Sequence, residues 1–432
     1  MTAIQPFAAI RYATPPADPD ISTRLSPPYD ILDARDKEAL LRADGRNFVK
    51  IDLPHIPPKA AGPPAAYQAA ASQLDAWLAD GTLVRDTEPA FYVYHQAFRH
   101  CGVDYVRKMF FARLRIEAFG SGKVYPHERT FGGPKEDRLC LTRATRANLS
   151  PIFGLYPDAE NAVARRLERA LPGRPLAVGT LDGVENRLWA VTDGATLNEV
   201  ARLMADKAVY IADGHHRYGT AALYRDWLVE QHGPLPENHP ANFVLCVFCA
   251  LEDPGLLILP THRVLPGVRV PAGLLRADDR LEVAPLEAPS AEAVPAALAP
   301  FGRQALGVYA AGATGFLMVR PRAADLLAAF EPDRAPPWRA LGLAFLHAYL
   351  LERVVAPALC GGRAPEVVYH KSAAAAVDEA NATGGTAFLM QATTMQELRA
   401  VCEAGEIMPQ KSTYFYPKLA SGLVINPLTW PE

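Results

Sequence analysis

The stretch VYIADGHHRYGTAALYRDWL (residues 209–228) places a tight turn between a strand pattern and a helix pattern. The residues up to Ile211 are typical of the end of a buried strand, and the apolar residues from Tyr218 to Trp227 recur at helical spacing. The turn at Gly214 leaves two histidines and an arginine on the first helical turn. Because a helix N-terminus carries partial positive charge and free N–H groups, it favours anions over cations. The pattern therefore predicts a bound anion, and we expect a phosphate group.

The residues of this turn have a functional and a structural interpretation. Arg217 offers a planar fork of donors that suits phosphate oxygens. His215 and His216 can donate hydrogen bonds, or add a proton to a leaving oxygen near neutral pH. Asp213 either holds a divalent cation or acts as a base, whereas the structural interpretation makes it the helix cap. Adjacent histidines diverge by about 100° on a helix, which disfavours a zinc site.

A second polar stretch, GSGKVYPHERTFGGPKEDRLCLTRATRANLSPIFGLY, covers residues 120–156. Its GSGK segment lacks the first glycine of a Walker-A motif, and HERTF lacks the second histidine of H-E-x-x-H. It predicts a dense polar loop with Glu128 as candidate general base, and the alternative is a solvated charged loop. The polar residues are His127, Glu128, Arg129, Lys135, Glu136, Asp137, Arg138, Arg143, Arg146 and Asn148. Of these, Lys135 and Arg138 are candidates for phosphate, and His127 and Asn148 for substrate.

Three shorter stretches supply further candidates. In LSPPYDIL, Tyr29 and Asp30 either face a substrate pocket or begin a helix with Asp30 as its N-cap. In LPTHRVL, His262 is a second contact to an anion at a strand end or a structural histidine. MPQKSTYFYPKLASGL, with Lys411 as a phosphate candidate, either folds over a pocket or anchors the C-terminus through its aromatic residues.

Composition restricts the partners and the compartment. The net charge of −3 provides no overall basic field for a nucleic-acid backbone, although a local basic patch stays open. No stretch approaches 18 consecutive apolar residues, so we expect no membrane span, and the first residues lack a secretion signal. The six cysteines are scattered, which favours reduced thiols in a cytoplasm. Cys246 and Cys249 lie in a strand pattern and are interpreted as core thiols rather than a metal or redox pair.

Strand and helix patterns alternate irregularly along the 432 residues. AFYVYHQAF and YVRKMFFARLRI are joined by RHCGVD as in a hairpin, which indicates a mixed sheet. WRALGLAFLHAYLLERVV predicts one apolar helix, and GLVINPL predicts a closing strand. The fold class is therefore α+β, or mixed α/β. A shift towards Ala and Pro predicts two regions: residues 1–265 with the phosphate-binding and catalytic candidates, and residues 266–432 as a C-terminal α/β region.

The combination of ADGHHRY, PHERTFGGPKEDRLCLTRATRANLSPIFGLY, LSPPYD and MPQKSTYFYPKL resembles a widespread, uncharacterised bacterial and archaeal family. That family is similar to the ParB/sulfiredoxin superfamily, in which a Gly-x-x-Arg turn at a helix N-terminus binds the phosphates of a nucleotide or pyrophosphate. Here that turn is Gly214 to Arg217. The resemblance implies a ParB/sulfiredoxin-like core with a mixed sheet, plus the additional C-terminal α/β region.

Free serine kinases of that superfamily carry a similar Asp-Gly-His-His-Arg motif, and they phosphorylate free L-serine with ATP, ADP or pyrophosphate. The resemblance therefore implies a cytoplasmic phosphotransferase acting on the hydroxyl of a small metabolite, with Asp213 as a metal- or substrate-linked acid. We expect Mg²⁺, through Asp213, to offset charge between donor oxygens. The alternatives are a nucleotide-dependent, ParB-like regulator that switches DNA binding, and a phosphohydrolase.

Overall fold

A computed structural model describes residues 4–58, 60–128 and 132–430. The chain forms two compact units, of which the first comprises residues 1–257 and 417–432 and the second comprises residues 258–416. The predicted boundary at residues 265–266 differs from the observed division after Leu257. The chain also returns to the first unit at Pro417, which a single boundary does not describe.

The first unit is built on a mixed sheet. Within its described residues, nine strands form this sheet, in the order β6-β11-β8-β12-β5-β4-β10-β9, with β1 also paired to β5. The central strand β8 runs antiparallel to β11 and parallel to β12. The strands of this part of the chain are β1 (Ile4–Gln5), β2 (Ile10–Tyr12), β3 (Leu83–Arg85), β4 (Phe91–His100), β5 (Val103–Arg115), β6 (Val124–Tyr125), β7 (Ala147–Asn148), β8 (Ile152–Tyr156), β9 (Ala177–Leu181), β10 (Val184–Val191), β11 (Val209–Asp213) and β12 (Phe243–Ala250). This mixed sheet confirms the predicted fold class.

The antiparallel relation of β8 and β11 matters most for the site. Since the two strands run in opposite directions, the carboxyl end of β11 lies beside the amino end of β8, where Asp213 pairs with Phe153. A register shift between Ile211 and Asp213 bends β11 at this end. The predicted phosphate-binding turn therefore follows the bent carboxyl end of β11, an inner strand of the sheet.

Helices flank these strands, and their ends follow local chemistry. A capping box of Asp33 and Asp36 starts α1, so Asp33 rather than Asp30 is the N-cap there. Asp193 caps α6 by accepting from the Thr196 N–H. The helices of the first unit are α1 (Ala34–Ala43), α2 (Val49–Asp52), α3 (Pro64–Ala79), α4 (Gly132–Thr145), α5 (Ala162–Arg169), α6 (Gly194–Met204) and α7 (His215–His232).

The centre of the sheet is apolar and confirms the predicted hairpin. β4 and β5 pair antiparallel from Tyr92–Phe111 to His100–Val103, around a turn with positive φ at Cys101 and Gly102. Every residue of β12 is buried, and the ring of Phe248 stacks on Phe110 at 5.2 Å. The thiols of Cys246 and Cys249 are free and buried in β12, as the strand pattern predicted.

The second unit contains an antiparallel sheet in the order β15-β17-β16-β19-β14-β18. Its core joins this sheet to the apolar segment around Phe345 and Tyr349. The strands from Leu257 onward are β13 (Leu257–Leu259), β14 (His262–Leu265), β15 (Leu281–Leu286), β16 (Leu306–Ala310), β17 (Phe316–Pro321), β18 (Val368–His370), β19 (Thr386–Leu389) and β20 (Tyr414–Tyr416). The α-helices are α8 (Ala272–Ala277), α9 (Val294–Ala297), α10 (Pro336–Arg339), α11 (Gly342–Ala344), α12 (Ala356–Leu359), α13 (Ala373–Thr383) and α14 (Met395–Glu403).

Three predicted elements differ in the structure. The stretch expected as a polar loop contains α4, whose Gly-Gly-Pro start is compatible with a first helical turn. The single helix expected at 338–355 is divided into α10, α11 and a π-helical segment, Phe345–Val355. The strand expected at 422–428 is reduced to β21 (Asn426–Pro427), which pairs with β7.

The segment Gly342–Leu359 is long and apolar enough to cross a membrane by length and composition alone. However, 61% of it is buried inside the protein. Leu346, Leu350 and Val355 belong to the core of the second unit, so the segment has the surroundings of a core helix.

The packing of β12 leads to a first prediction. Phe248→Ala removes a fully buried ring and leaves a cavity, so we expect the free energy of unfolding to fall by about 3–5 kcal/mol. Leu223→Ala on α7 is the control, because this side chain is 44% exposed, and we expect a change within about 0.5 kcal/mol. Urea unfolding followed by tryptophan fluorescence measures both values. Equal losses for the two variants would contradict the assignment of β12 to the core.

Candidate functional site

The Asp-Gly-His-His-Arg turn joins the end of β11 to the start of α7. Gly214 is the N-cap of α7 with φ of 89°, a left-handed conformation that glycine adopts without strain. A Cβ atom at this position would lie 3.1 Å from the Ile152 Cα. The turn can therefore pack closely on β8 only because glycine has no side chain. Asp213 accepts a hydrogen bond from the Gly214 N–H at 2.7 Å and does not cap the first turn of α7. Because the N-cap residue is a glycine, it provides no side-chain hydrogen bond to the first N–H groups of α7.

Arg217 folds back from the first turn of α7 towards the sheet. Its guanidinium donates through Nη1 to the carbonyl oxygen of Pro151 and through Nη2 to Asp213 Oδ1 at 3.4 Å. Burial lowers the pKa of Arg217, but the charge of Asp213 and the neighbouring acidic groups raise it above its ordinary value. The Nε–H has no partner among the described residues, so the charged group retains a donor for a ligand.

Two histidines pack against each other beneath this turn. The rings of His127 and His215 meet edge to face at 4.7 Å, and the His127 backbone N–H donates to His215 Nε2 at 3.2 Å. The Nδ1 atom of His127 lies 2.7 Å from the carbonyl oxygen of Ile211. Burial lowers the pKa of both imidazoles below the ordinary value, so both rings are neutral near pH 7. An accepting Nε2 places the proton of His215 on Nδ1.

His216 lies in a different electrostatic environment from its neighbour. Burial and the charge of Lys135 lower its pKa, whereas Glu128 and Asp30 raise it in part. Glu128 is half-buried, with Oε1 3.9 Å from His127 Nε2. The structure thus brings Glu128, His216, Lys135 and Asp30 into one neighbourhood. The adjacent Arg129 lies outside the described residues.

A partly open pocket, lined by both polar and apolar side chains, adjoins Arg217. It brings together residues that the sequence places far apart, because Tyr29 and Asn148 line it with Arg138 and Arg217. The full lining is Tyr29, Asp52, Arg138, Leu141, Thr142, Ala147, Asn148, Leu149, Ser150, Arg217, Thr220, Ala221 and Val244. Neither Asp52 nor Ser150 was selected from the sequence: Asp52 stands in an unremarkable stretch, and Ser150 lies within the polar stretch 120–156 without a feature that marks it.

The wall of this pocket contains a buried ionic network. The guanidinium of Arg138 lies 4.0 Å from the centre of the Tyr29 ring and donates through Nε to Asp137 at 2.8 Å. Its Nη1 donates to the carbonyl oxygen of Asp52 at 2.6 Å. The side chain of Asp52 accepts from the Ser150 hydroxyl at 2.6 Å, and burial raises the pKa of Asp52. Burial also raises the pKa of Tyr29, to about 12. The donors of Arg138 are thus directed mainly at protein groups.

Asn148 has a structural role as well as its place in the lining. Its Oδ1 accepts from the Leu245 backbone N–H at 3.0 Å and from Asn426 Nδ2 at 2.9 Å. These bonds join β7 to the neighbouring strand and to the C-terminal residues. Only the amide nitrogen of Asn148 is therefore suited to a substrate contact.

Lys418 is a site residue that the sequence analysis noted without selecting. Its Nζ lies 2.7 Å from Asp213 Oδ2, in a contact between residues 205 positions apart. Burial alone would raise the pKa of Asp213, but the charges of Lys418 and Arg217 hold it below the ordinary value. No local pattern links these positions, so the sequence signal was limited to a lysine in an aromatic, proline-rich stretch.

Two predicted residues belong to the second unit. His262 is buried in β14, and its Nδ1 accepts from the Met390 backbone N–H at 3.1 Å. Burial lowers the pKa of His262 to about 4, so its ring is neutral. Lys411 is exposed, and its carbonyl oxygen accepts from Arg263 at 2.8 Å. These contacts favour the structural interpretation of His262, and the phosphate roles of both residues stay predictions.

The donor set around Asp213 does not fit a metal ion. Its Oδ1 accepts from the Gly214 N–H, and its Oδ2 is engaged by the Lys418 ammonium. Mg²⁺ needs open carboxylate oxygens in near-octahedral geometry. Among the residues that the structure describes, no three His, Cys, Asp or Glu side chains gather as metal ligands. The predicted metal role of Asp213 has no support from this arrangement.

The chain belongs to the family described as "Protein of unknown function (DUF1015)", whose model matches residues 4–341. The predicted membership of an uncharacterised family is thereby confirmed. No curated protein matches the chain.

Several solved structures are similar to the chain at low identity. A free serine kinase in complex with AMP is 14% identical, over 70% of this chain and 89% of that one, with a TM-score of 0.33. A conserved hypothetical protein from Pyrococcus furiosus is 15% identical, over 70% and 91%, with a TM-score of 0.32. SbnI with a C-terminal truncation, from Staphylococcus aureus, is 14% identical, over 74% and 87%, with a TM-score of 0.33. Similarity this low decides nothing about the site.

The neutral histidine pair leads to a pH prediction. Because the pKa of His215 is lower in the folded than in the unfolded chain, the unfolded chain binds more protons below about pH 6.5. The free energy of unfolding should therefore fall as the pH falls from 7.5 to 5, by up to about 1.4 kcal/mol per pH unit for each such histidine. His215→Asn should reduce this slope, as measured by urea unfolding at several pH values. His232→Asn, at the exposed end of the same helix, should keep the wild-type slope, and identical slopes for all three proteins would refute the neutral pair.

Proposed function

We propose that the protein is a phosphotransferase that moves a phosphoryl group from a phosphate-chain donor to the hydroxyl of a small metabolite. The observation that supports this most is the N-terminus of α7, where a charged Arg217 with an available donor borders a polar pocket. A helix N-terminus and a guanidinium together favour phosphate oxygens.

The donor would bind at the first turn of α7. Arg217 and the N–H groups of His215 and His216 would hold its phosphate oxygens, and Lys135 would add a charge from α4. Lys135 is close enough for this role, since its charge acts on His216 in the first turn of α7. His216 is the histidine suited to ligand contact, because His215 uses Nε2 inside the protein.

The acceptor would bind at the partly open pocket that adjoins Arg217. Tyr29, Asn148 and Arg217 line it and were proposed as ligand contacts from the sequence. Asp52 and Ser150 add polar groups at its wall. Asp30 and His127 do not line this pocket. We therefore assign Asp30 to the electrostatics of His216, and His127 to the support of His215, rather than to acceptor binding.

The reaction balances without any further reactant. The acceptor oxygen attacks the terminal phosphorus, a new P–O bond forms, and the bond to the bridging oxygen breaks. Glu128 takes the hydroxyl proton, and the charge on the leaving phosphate is offset by Arg217 and Lys135. His216 would donate a hydrogen bond from its ring N–H to the leaving oxygen, because burial lowers its pKa and favours the neutral imidazole. Asp213 would position the cations of the turn, because its oxygens are engaged by them.

The donor and the acceptor are open within defined classes. ATP, ADP and pyrophosphate all present the phosphate chain that the turn favours. Mg²⁺ would travel with such a donor and spread the charge between its oxygens, although the residues that the structure describes form no dedicated site for it. The Asp-Gly-His-His-Arg motif resembles that of free serine kinases, so free L-serine is the first acceptor to test. We place the reaction in the cytoplasm, which stays a prediction.

A direct assay separates this function from its alternatives. Purified full-length protein is incubated with L-serine and each of ATP, ADP and pyrophosphate, with and without Mg²⁺, and the products are identified by ³¹P NMR. Phosphoserine supports the proposal, and its absence with every donor removes serine as the acceptor. Inorganic phosphate released without an acceptor would instead favour a phosphohydrolase. A nucleotide-dependent gel shift at low salt would favour a ParB-like regulator.

The phosphate role of Arg217 can be measured as binding alone. Arg217→Ala should weaken pyrophosphate binding by about 10- to 100-fold, as expected for lost charge-assisted hydrogen bonds of about 1.5–3 kcal/mol. Arg225→Ala is the control, because this residue lies two turns further along α7 and pairs with Asp226. Isothermal titration calorimetry gives both affinities, and a thermal melt checks folding. Wild-type affinity in the Arg217 variant would remove the donor site.

The role of Glu128 as the base predicts a loss in kcat. Glu128→Gln keeps the size of the side chain but cannot accept the proton, so kcat should fall by about 10²- to 10⁴-fold while the donor affinity stays close to that of the wild type. Glu136→Gln, at an exposed position of α4, is the matched control and should retain activity. A variant at Glu128 with unchanged kcat would show that another group takes the proton.

A further inference from the structure

The C-terminal residues of the first unit form a segment that is pinned to the unit along its length. This return segment (residues 417–428) begins where the chain leaves the second unit. Backbone hydrogen bonds join Ser421 to Ser26 and Ile425 to Ile10 in both directions. The Leu428 N–H donates to the carbonyl oxygen of Arg146. With so many fixed points, the segment holds its side chains in defined places.

The start of the return segment rests on a buried polar network. Arg107 donates to the carbonyl oxygen of Pro417 at 2.6 Å and to the side-chain oxygen of Gln96. Gln96 donates from Nε2 to the carbonyl oxygen of Lys418 at 3.0 Å and to Asn186 at 3.1 Å. The Ala420 N–H donates to the Tyr94 hydroxyl at 3.3 Å. Side chains of β4 and β5 thus hydrogen-bond to the main chain on both sides of Lys418.

Burial of this network has a desolvation cost, so the groups that it holds in place indicate its role. The Arg107 side chain is fully buried, and burial lowers its pKa. Its guanidinium carbon lies 5.1 Å from the centre of the Phe153 ring. Burying a guanidinium is unfavourable unless hydrogen bonds compensate for the lost water. Those bonds go to the main chain at Pro417 and to the residue that holds the main chain of Lys418. The result is a precise position for the Lys418 side chain.

The ammonium of Lys418 reaches the turn at the start of α7. It lies 2.7 Å from Asp213 Oδ2, while Arg217 lies 3.4 Å from Asp213 Oδ1. Two cations therefore share one carboxylate at the positive end of a helix, where positive charge is disfavoured. An ammonium carries three N–H donors, so it can hold Asp213 and a phosphate oxygen together.

We propose that Lys418 is a second phosphate-binding cation of this site, and that Arg107 and Gln96 are its positioning residues. This inference rests on the proposed phosphate-binding function. It assigns to Lys418 the charge compensation that the sequence suggested for a metal at Asp213. The ammonium binds a phosphate oxygen of the donor, beside Arg217, while Asp213 keeps it oriented.

The test measures pyrophosphate binding by calorimetry in buffer with EDTA, so that no metal contributes. Lys418→Met should weaken binding by about 10-fold or more, and Lys418→Arg should recover much of the loss, because a guanidinium restores the charge and the donors. Lys371→Met is the control, since this exposed lysine lies between β18 and α13 and has no proposed contact with the donor. It should bind pyrophosphate as the wild type does.

A merely structural ion pair predicts a different pattern. In that case Lys418→Met lowers the melting temperature but leaves the affinity for pyrophosphate unchanged, and the inference is overturned. Arg217→Ala separates the two levels of the proposal. If Arg217→Ala loses affinity and Lys418→Met does not, only the role of Lys418 fails. If both variants bind as the wild type does, the phosphate-binding function itself fails.

The positioning roles have their own readout. Gln96→Met removes the donor to the Lys418 carbonyl, so it should weaken pyrophosphate binding in the direction of Lys418→Met. The double variant should be no weaker than Lys418→Met alone, because both changes act through one ammonium. Arg107→Lys should behave in the same way where it folds. Additive losses, or unchanged affinity in Gln96→Met, would show that the network does not position Lys418.

Discussion

Two cations share the carboxylate of Asp213 at the positive end of α7, and much of the first unit holds them there. Arg217 is tied to Pro151 at the amino end of β8, which is adjacent because β8 and β11 run in opposite directions. Lys418 arrives on a segment fixed by the face of the same sheet. Since like charges repel and the helix end adds positive potential, an anion is the missing partner that the arrangement favours. The neutral state of the nearby histidines fits this, because further positive charge is avoided.

The pocket beside this turn has walls that are stiff for a different reason. Arg138, Asp137, Asp52 and Ser150 are joined by hydrogen bonds and an ion pair inside the protein, and the Tyr29 ring packs against the guanidinium. These contacts restrict the rotamers of the side chains that take part and thereby stiffen the pocket wall. The pocket is therefore preformed in the absence of a ligand. This suits a reaction that depends on orientation rather than on covalent help from the protein.

The sequence was sufficient where short-range patterns decide the structure. The strand before Asp213, the glycine turn, the helix after it and the β4–β5 hairpin all follow from local spacing. The pattern around α4 was misleading because its first two turns carry the charged residues Lys135 to Arg138, which suggested a polar loop. Two of those charged residues, Asp137 and Arg138, instead pair with each other inside the protein. Burial of an ion pair depends on tertiary partners, which periodicity cannot display.

Long-range contacts explain the rest of what was missed. Arg107 and Pro417 are 310 positions apart. Nothing in the strand pattern of β5 indicates that Arg107 donates a hydrogen bond to a backbone carbonyl so far along the chain. The predicted strand at 422–428 failed for a related reason. Apart from the short pairing of β21 with β7, that segment bonds to separate partners such as Ile10 and Arg146. Its apolar composition reflects burial, and the pattern could not separate burial from pairing.

The return of the chain to the first unit also sets the order of biosynthesis. Asp213 precedes its lysine partner by 205 positions, and the whole second unit is translated between them. At about 5–20 residues per second, the nascent carboxylate waits on the order of ten to forty seconds for its ammonium. A polypeptide interrupted within the second unit would have the glycine turn and the arginine but an unfinished centre. Completion of this turn is thus tied to the translation of residues that follow the second unit.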